Sequence, residues 1–189
     1  GSEMCIRDSM YFGGIWGGQL QRWRTGIFNS NQPDSPTAFL PKDDEPALLP
    51  YVAKMSDDLL EFAEKPKEVM IVDKNGNLLL AGDNDRRFFE AAWLHKYKRK
   101  YYFSYSTGDT HFICYAIGET PYGPFTYKGR ILNPVVGWTS HHSICEFKGK
   151  WYLFYHDSSL SKGVTHLRSV KIAEIKYNED GTIQTLDPY

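Results

Sequence analysis

The chain is poor in cysteine, carries no charge excess and has no long apolar run. Only three of its 189 residues are cysteines, Cys5, Cys114 and Cys145. An odd count without close spacing excludes a disulfide framework and a cysteine-rich zinc site. Cys114 and Cys145 fall in strand-like runs and are expected to be buried thiols. Lys and Arg number 22 against 23 Asp and Glu, a net charge of −1. With no basic stripe, nucleic acid is not an expected partner. No segment reaches the roughly 20 apolar residues that a membrane span needs, so no membrane partner is expected either. Walker, Rossmann, HExxH and nucleophile-elbow motifs are also missing.

Aromatic residues are abundant: 13 Tyr, 11 Phe and 5 Trp. Such residues fill β cores, and their faces also cover the C–H groups of sugars. Most of these rings are expected to serve the core. The length suits one domain with a sizeable core.

Strand signals dominate. Val69–Val72 and Leu78–Leu80 flank an Asn75-Gly76 turn, the sequence of a hairpin. Ala92–Lys96 and Lys100–Ser106 flank Tyr97-Lys98-Arg99. Ser143–Phe147 and Trp151–His156 flank Lys148-Gly149-Lys150. The last two hairpins repeat one another, because Tyr101-Tyr102-Phe103-Ser104-Tyr105 aligns with Trp151-Tyr152-Leu153-Phe154-Tyr155 at a spacing of 50 residues. A third strand is expected near Phe112–Ile117 and near Leu167–Ile175. A fourth is expected at Phe125–Lys128, with Ile183-Gln184-Thr185 as its counterpart. Four short antiparallel strands per unit, repeated at this period, predict an all-β fold of β-propeller type, which a sandwich would not. Asn29–Pro50 reads as a long loop, and Leu48–Phe62 has loosely helical spacing.

The first nine residues, GSEMCIRDS, share nothing with this pattern. They resemble translated sequencing-adapter read-through and are set apart as a non-native segment, leaving 10–189 as the domain proper.

The candidate chemistry lies at the starts of the repeats. Glu90 opens one, within Phe88-Phe89-Glu90-Ala91-Ala92-Trp93. A carboxylic acid beside apolar rings loses solvation of its charged form, a setting that suits a general acid near neutral pH. The alternative is a surface Glu flanked by core aromatics. Gly137-Trp138-Thr139-Ser140-His141-His142 opens the next repeat, Arg168 begins its third strand, and Trp16 follows the first strand of the chain. In a propeller the innermost strand of each blade lines the central channel, so Glu90, His141 and Trp16 are expected to face one pocket. His142 is expected to pack or to face solvent.

Three segments carry a family resemblance: FFEAAWLHKYKRKYYFSYS, TSHHSICEFKGKWYLFYHD and RSVKIAEIKYNEDGTIQ. Together they resemble glycoside hydrolase family 43, in its β-xylosidase and α-L-arabinofuranosidase branch. The resemblance implies a five-bladed β-propeller, of which about the last three blades are present. It also implies inverting hydrolysis of xylan- or arabinan-derived oligosaccharides, with plant cell-wall saccharide as the partner. Glu90 then matches the general acid, although the family's Pro two residues later is Ala92 here. His141 matches a channel histidine that binds a metal ion, often calcium, or else forms a hydrogen bond there. Arg168 matches an arginine reaching the substrate, and Trp16 is a further candidate for the sugar. No cofactor is required for the chemistry, and calcium would act structurally or electrostatically. The family's general base and a second Asp that modulates the acid are expected upstream of Met10, so this fragment is expected to be inactive. A noncatalytic glycan-binding propeller and an interaction scaffold are the alternatives. The resemblance implies a secreted or periplasmic protein, with a cytoplasmic oligosaccharide-processing enzyme as the other option.

Overall fold

The structure, a computed structural model, describes residues 8–15, 19–31, 39–138 and 140–189. It is nearly all β, built from three sheets. The first joins β1 (Ser9–Phe12), β2 (Tyr51–Lys54) and β3 (Lys67–Glu68) in that order. The second has the order β4-β8-β7-β6-β5, with β4 (Ile71–Val72), β5 (Glu90–Tyr97), β6 (Lys100–Ser106), β7 (Ile113–Gly118) and β8 (Phe125–Leu132). The third is β9 (His142–Phe147), β10 (Lys150–Asp157) and β11 (Ser169–Ile175), with β10 central. Among the described residues a single α-helix, α1 (Gln19–Thr25), buries Leu20 and Gln21.

The middle sheet is covered on both faces, which explains the near-continuous aromatic run of β6. Side chains alternate across a strand. Phe103 and Tyr105 therefore join one core, with Leu20, Val52, Val69, Leu94 and Phe125. Tyr102 joins the other, with Tyr115, Ile131, Ile144, Leu153 and Tyr155. The third sheet is covered on one side only. On β11, Ile175 is buried, while Val170 is 74% and Ile172 48% exposed. These two side chains leave apolar surface on the outer face of β11.

The two repeated hairpins share a turn as well as a sequence. Tyr97 pairs Lys100 across Lys98-Arg99, and Phe147 pairs Lys150 across Lys148-Gly149. All four loop residues have positive φ: 45° and 71° in the first turn, 53° and 76° in the second. Two such residues are what a two-residue hairpin of matching twist requires. The second turn eases the strain with Gly149; the first places side chains at both positions. Replacing Lys98-Arg99 by Asn-Gly is expected to raise stability by about 1 kcal/mol, since left-handed backbone costs an L-residue roughly that much. Thermal unfolding checks this, and an unchanged or lower midpoint would refute it.

Three expectations are corrected. Leu48–Phe62 is not helical: Tyr51–Lys54 is β2, in which Val52 and Ala53 are fully buried and Val52 pairs Tyr11. Pairing on both sides of β2 overrides the local spacing. Leu78–Leu80 does not extend as a strand, although Asp73 N–H does bond the Asn77 carbonyl at 2.8 Å and Val72 bridges Leu78. Strand β4 runs parallel to β8 instead, with Ile71 opposite Phe125. Cys114 is buried as expected, but Cys145 is exposed. It lies on the face of β9 opposite the buried Ile144.

Candidate active site

Glu90 is the first residue of β5 and pairs Ser106. The register then slips by one residue before Trp93 meets Ser104, so β5 carries a bulge. Within it Ala91 has φ 63°. A bulge of this kind re-aims the side chain beside it, and a non-glycine residue in the left-handed region is a stored strain typical of functional sites.

The rings next to Glu90 in sequence are spent elsewhere. Phe88 is buried in the core, with ring centres 5.9 Å from Tyr105 and 6.4 Å from Phe103. Phe89 lies over Gly108, where an added Cβ would come within 2.3 Å of its ring. Gly108 also has φ +77°, so both space and backbone require glycine there. Trp93 packs against the second core. Beside Glu90 instead are Gly14, whose Cβ position is 3.6 Å from the Glu90 Cβ, and His141.

Glu90 and His141 hold equivalent places in successive sheets. Six residues back from Phe147 stands His141; six back from Tyr97, plus the one bulge residue, stands Glu90. The chain thus delivers both to the same end of two neighbouring edge strands, β5 and β9. His141 Nε2 lies 3.4 Å from Glu90 Oε1, with the Glu side chain 22% exposed and the His side chain 56%. The carboxylate is partly shielded yet reachable from solvent.

Arg168 immediately precedes β11 and is exposed. Its Nε donates to the Thr165 carbonyl at 2.9 Å, and its Nη1 lies 3.4 Å from His156 Nε2. The His141 backbone N–H donates to that same nitrogen at 3.1 Å. Glu90, His141 and Arg168 therefore form one cluster, joined through His156. Trp16 lies outside the described residues.

Two residues in this picture were not singled out from the sequence. His156 is one; the hairpin register would have found it, since it stands six residues after Lys150 as Ser106 stands six after Lys100. Ser140, 1% exposed, is the other. Its hydroxyl donates to the His156 carbonyl at 2.8 Å and accepts the His156 N–H at 3.1 Å. His142, expected to pack or face solvent, packs: its Nε2 is 2.7 Å from Ser104 Oγ, and its buried Nδ1 has no partner among the described residues. Burial, then the neighbouring His141, lowers its pKa to about 3. The His156 pKa is lowered too, by burial first and by Arg168 and His141 next.

A cavity of about 400 Å³ opens beside this strand entry, lined by Ile15, Leu48, Arg87, Phe88, Phe89 and Asp109 among others. The Glu90 carboxylate is not part of its wall. Among the described residues no three His, Cys, Asp or Glu side chains converge as a metal site. Calcium takes six to eight oxygen ligands, and His141 offers a single nitrogen, so these residues do not by themselves fit a tightly held ion. No helix among the described residues is long and apolar enough to cross a membrane.

Two antiparallel hairpin units of like sequence and turn present a carboxylate and a histidine at equivalent strand starts, an all-β arrangement of propeller type. The model of the glycosyl hydrolases family 43 matches residues 50–183. The chain belongs to glycosyl hydrolase family 43. It is 58% identical over 178 residues to a xylosidase/arabinosidase of Bacteroides ovatus, covering 94% of this chain and 53% of that protein. It is 59% identical over 184 residues to xylosidase/arabinosidase 43A of Humicola insolens, covering 95% of this chain and 55% of that one. A crystal structure of a β-xylosidase/α-arabinofuranosidase from a compost microbial metagenome, in complex with xylotriose and in a calcium-free form, matches with TM-score 0.87 and 64% identity. That match covers 96% of this chain and 54% of the other. The chain thus spans about half the length of the relatives it matches.

Proposed function

We propose that this chain is part of an inverting glycoside hydrolase that releases xylose or arabinose units from xylan- or arabinan-derived oligosaccharides. The observation that carries the reading is Glu90: a partly shielded carboxylate, aimed by a strained bulge, 3.4 Å from His141 at the junction of two sheets. The architecture we propose is a five-bladed propeller, with the three sheets here as its last blades.

Glu90 acts as general acid. Its carboxyl proton passes to the glycosidic oxygen as the C–O bond breaks, so the leaving sugar departs as a neutral alcohol. Water attacks the opposite face, activated by a second carboxylate. The two carboxyl groups of an inverting pair stand about 6.5–9.5 Å apart to admit that water. Arg168 binds the sugar at the cluster's edge, and Trp16 contributes an aromatic face. A weakly held calcium ion would take His141 as its protein contact and would act electrostatically. We place the protein outside the cell or in the periplasm, where such polymers are met. The xylosidase/arabinosidase names of the relatives and the xylotriose and xylose bound in solved relatives support this substrate class.

Proton NMR of fresh reaction mixtures tests the reading, using a full-length protein that contains this segment. Hydrolysis of a β-xyloside is expected to release α-xylose first, with the β-anomer appearing only by mutarotation. A β-anomer released first would overturn the inverting mechanism.

A further inference from the structure

We infer that His156 is a positioning residue for the acid site, holding His141 and Arg168 at fixed places beside Glu90. This rests on the reading of Glu90 as the acid. Three hydrogen bonds dock the segment before β9 onto His156. Ser140 Oγ donates to its carbonyl at 2.8 Å, its N–H donates to Ser140 Oγ at 3.1 Å, and the His141 N–H donates to its Nε2 at 3.1 Å. The third bond runs to the side chain and requires a lone pair on Nε2. The His156 ring therefore carries its proton on Nδ1, and Nε2 points its lone pair at the cluster. Arg168 Nη1 approaches the same nitrogen at 3.4 Å, and the His156 and His141 rings stack at 6.2 Å with 23° between their planes.

One acceptor thus sets two neighbours. The backbone bond fixes where residue 141 leaves the register of β9, and that determines how far the His141 ring reaches toward Glu90. The contact to Arg168 holds an exposed guanidinium whose other anchor among the described residues is the Thr165 carbonyl. Half-exposed side chains lose much conformational entropy when fixed, so a half-buried acceptor that pre-orients both spares part of this cost during the reaction. The corresponding position of the preceding repeat is Ser106, opposite Glu90 itself. The two blades differ here because one presents the acid and the other its support.

The test uses the full-length protein and two substrates: xylobiose, with a poor leaving group, and nitrophenyl β-xyloside, with a good one. His156→Phe keeps the ring and removes the acceptor. It is expected to lower kcat on xylobiose by roughly 10–100-fold, the cost of a misplaced catalytic group, and kcat on the nitrophenyl glycoside by less than about 3-fold, since a good leaving group needs little protonation. His156→Gln, whose amide oxygen can accept the His141 N–H, is expected to recover most of the lost rate. A merely structural role would lower both substrates alike and would not be rescued by Gln. Equal losses on the two substrates, or an unaffected His156→Phe, overturn the inference. Should His156→Phe not fold, His156→Ala with added imidazole takes its place: restored xylobiose activity supports the inference and its failure at saturating imidazole refutes it. Glu90→Gln serves as control. If it shows the leaving-group split while the His156 variants do not, this inference alone fails. If Glu90→Gln shows no split, the acid reading fails and this inference with it.

Discussion

Glu90→Gln in a full-length protein containing this segment is expected to lower kcat on xylobiose by about 10²–10⁴-fold, the usual worth of general acid assistance. Gln is nearly isosteric and retains an acceptor oxygen, so the bulge at Ala91 and the approach of His141 should survive. What disappears is the transferable proton. The loss should shrink sharply on nitrophenyl glycosides, whose leaving groups depart as stable anions. KM should change little, because the proton moves only in the transition state. Steady-state kinetics on the two substrates checks this. Unchanged kcat on xylobiose would remove Glu90 from the mechanism and favour a glycan-binding propeller that holds sugar without cleaving it.

Acid is expected to destabilise the fold through His95. This residue lies within β5, buried, with Nε2 2.7 Å from the Tyr177 hydroxyl and a buried Nδ1 that has no partner among the described residues. Its ring stacks on Tyr102 at 5.1 Å and meets Trp151 at 5.2 Å. Burial, and secondarily His142, lowers its pKa from 6.5 to about 3. The sign follows from linkage. Between those values the unfolded chain takes up a proton that the folded chain refuses, so stability is full above pH 6.5 and drains as pH falls toward 3. At 1.36 kcal/mol per unit, moving from pH 7 to pH 4 is expected to cost about 3 kcal/mol through this residue. His95→Phe should lower stability at pH 7, because the Tyr177 hydroxyl loses its partner, yet flatten the decline toward acid. Urea unfolding at the two pH values measures it; an equally steep decline in the variant would show that His95 does not carry the effect.

Much of the architecture was legible in the chain. The 50-residue echo between Tyr101–Tyr105 and Trp151–Tyr155 placed both β6 and β10, because a strand's alternation and its turn are local properties. The paired positive-φ turns at Lys98-Arg99 and Lys148-Gly149 come from the same echo. Where pairing partners are distant, local pattern misled. Val52 and Ala53 sit in a strand because β1 and β3 flank them, and Leu78–Leu80 form only bridges because β8 takes the pairing with β4. Cys145 is exposed because register, which only the assembled sheet sets, turned it away from the core.

The candidate site divides the same way. Which groups are present was already written along the chain: one acid at the start of a repeat, histidines at the start of the next, an arginine before the last strand. Their residue types define what chemistry is available. That Glu90, His141 and Arg168 gather, with His156 between the last two, follows from the assembled sheets. Residues 90, 141, 156 and 168 are far apart along the chain. Their meeting depends on sheet register, on one extra residue in β5 and on a left-handed Ala91, and each is chosen by burial of the aromatic faces on either side of the middle sheet rather than by any local preference.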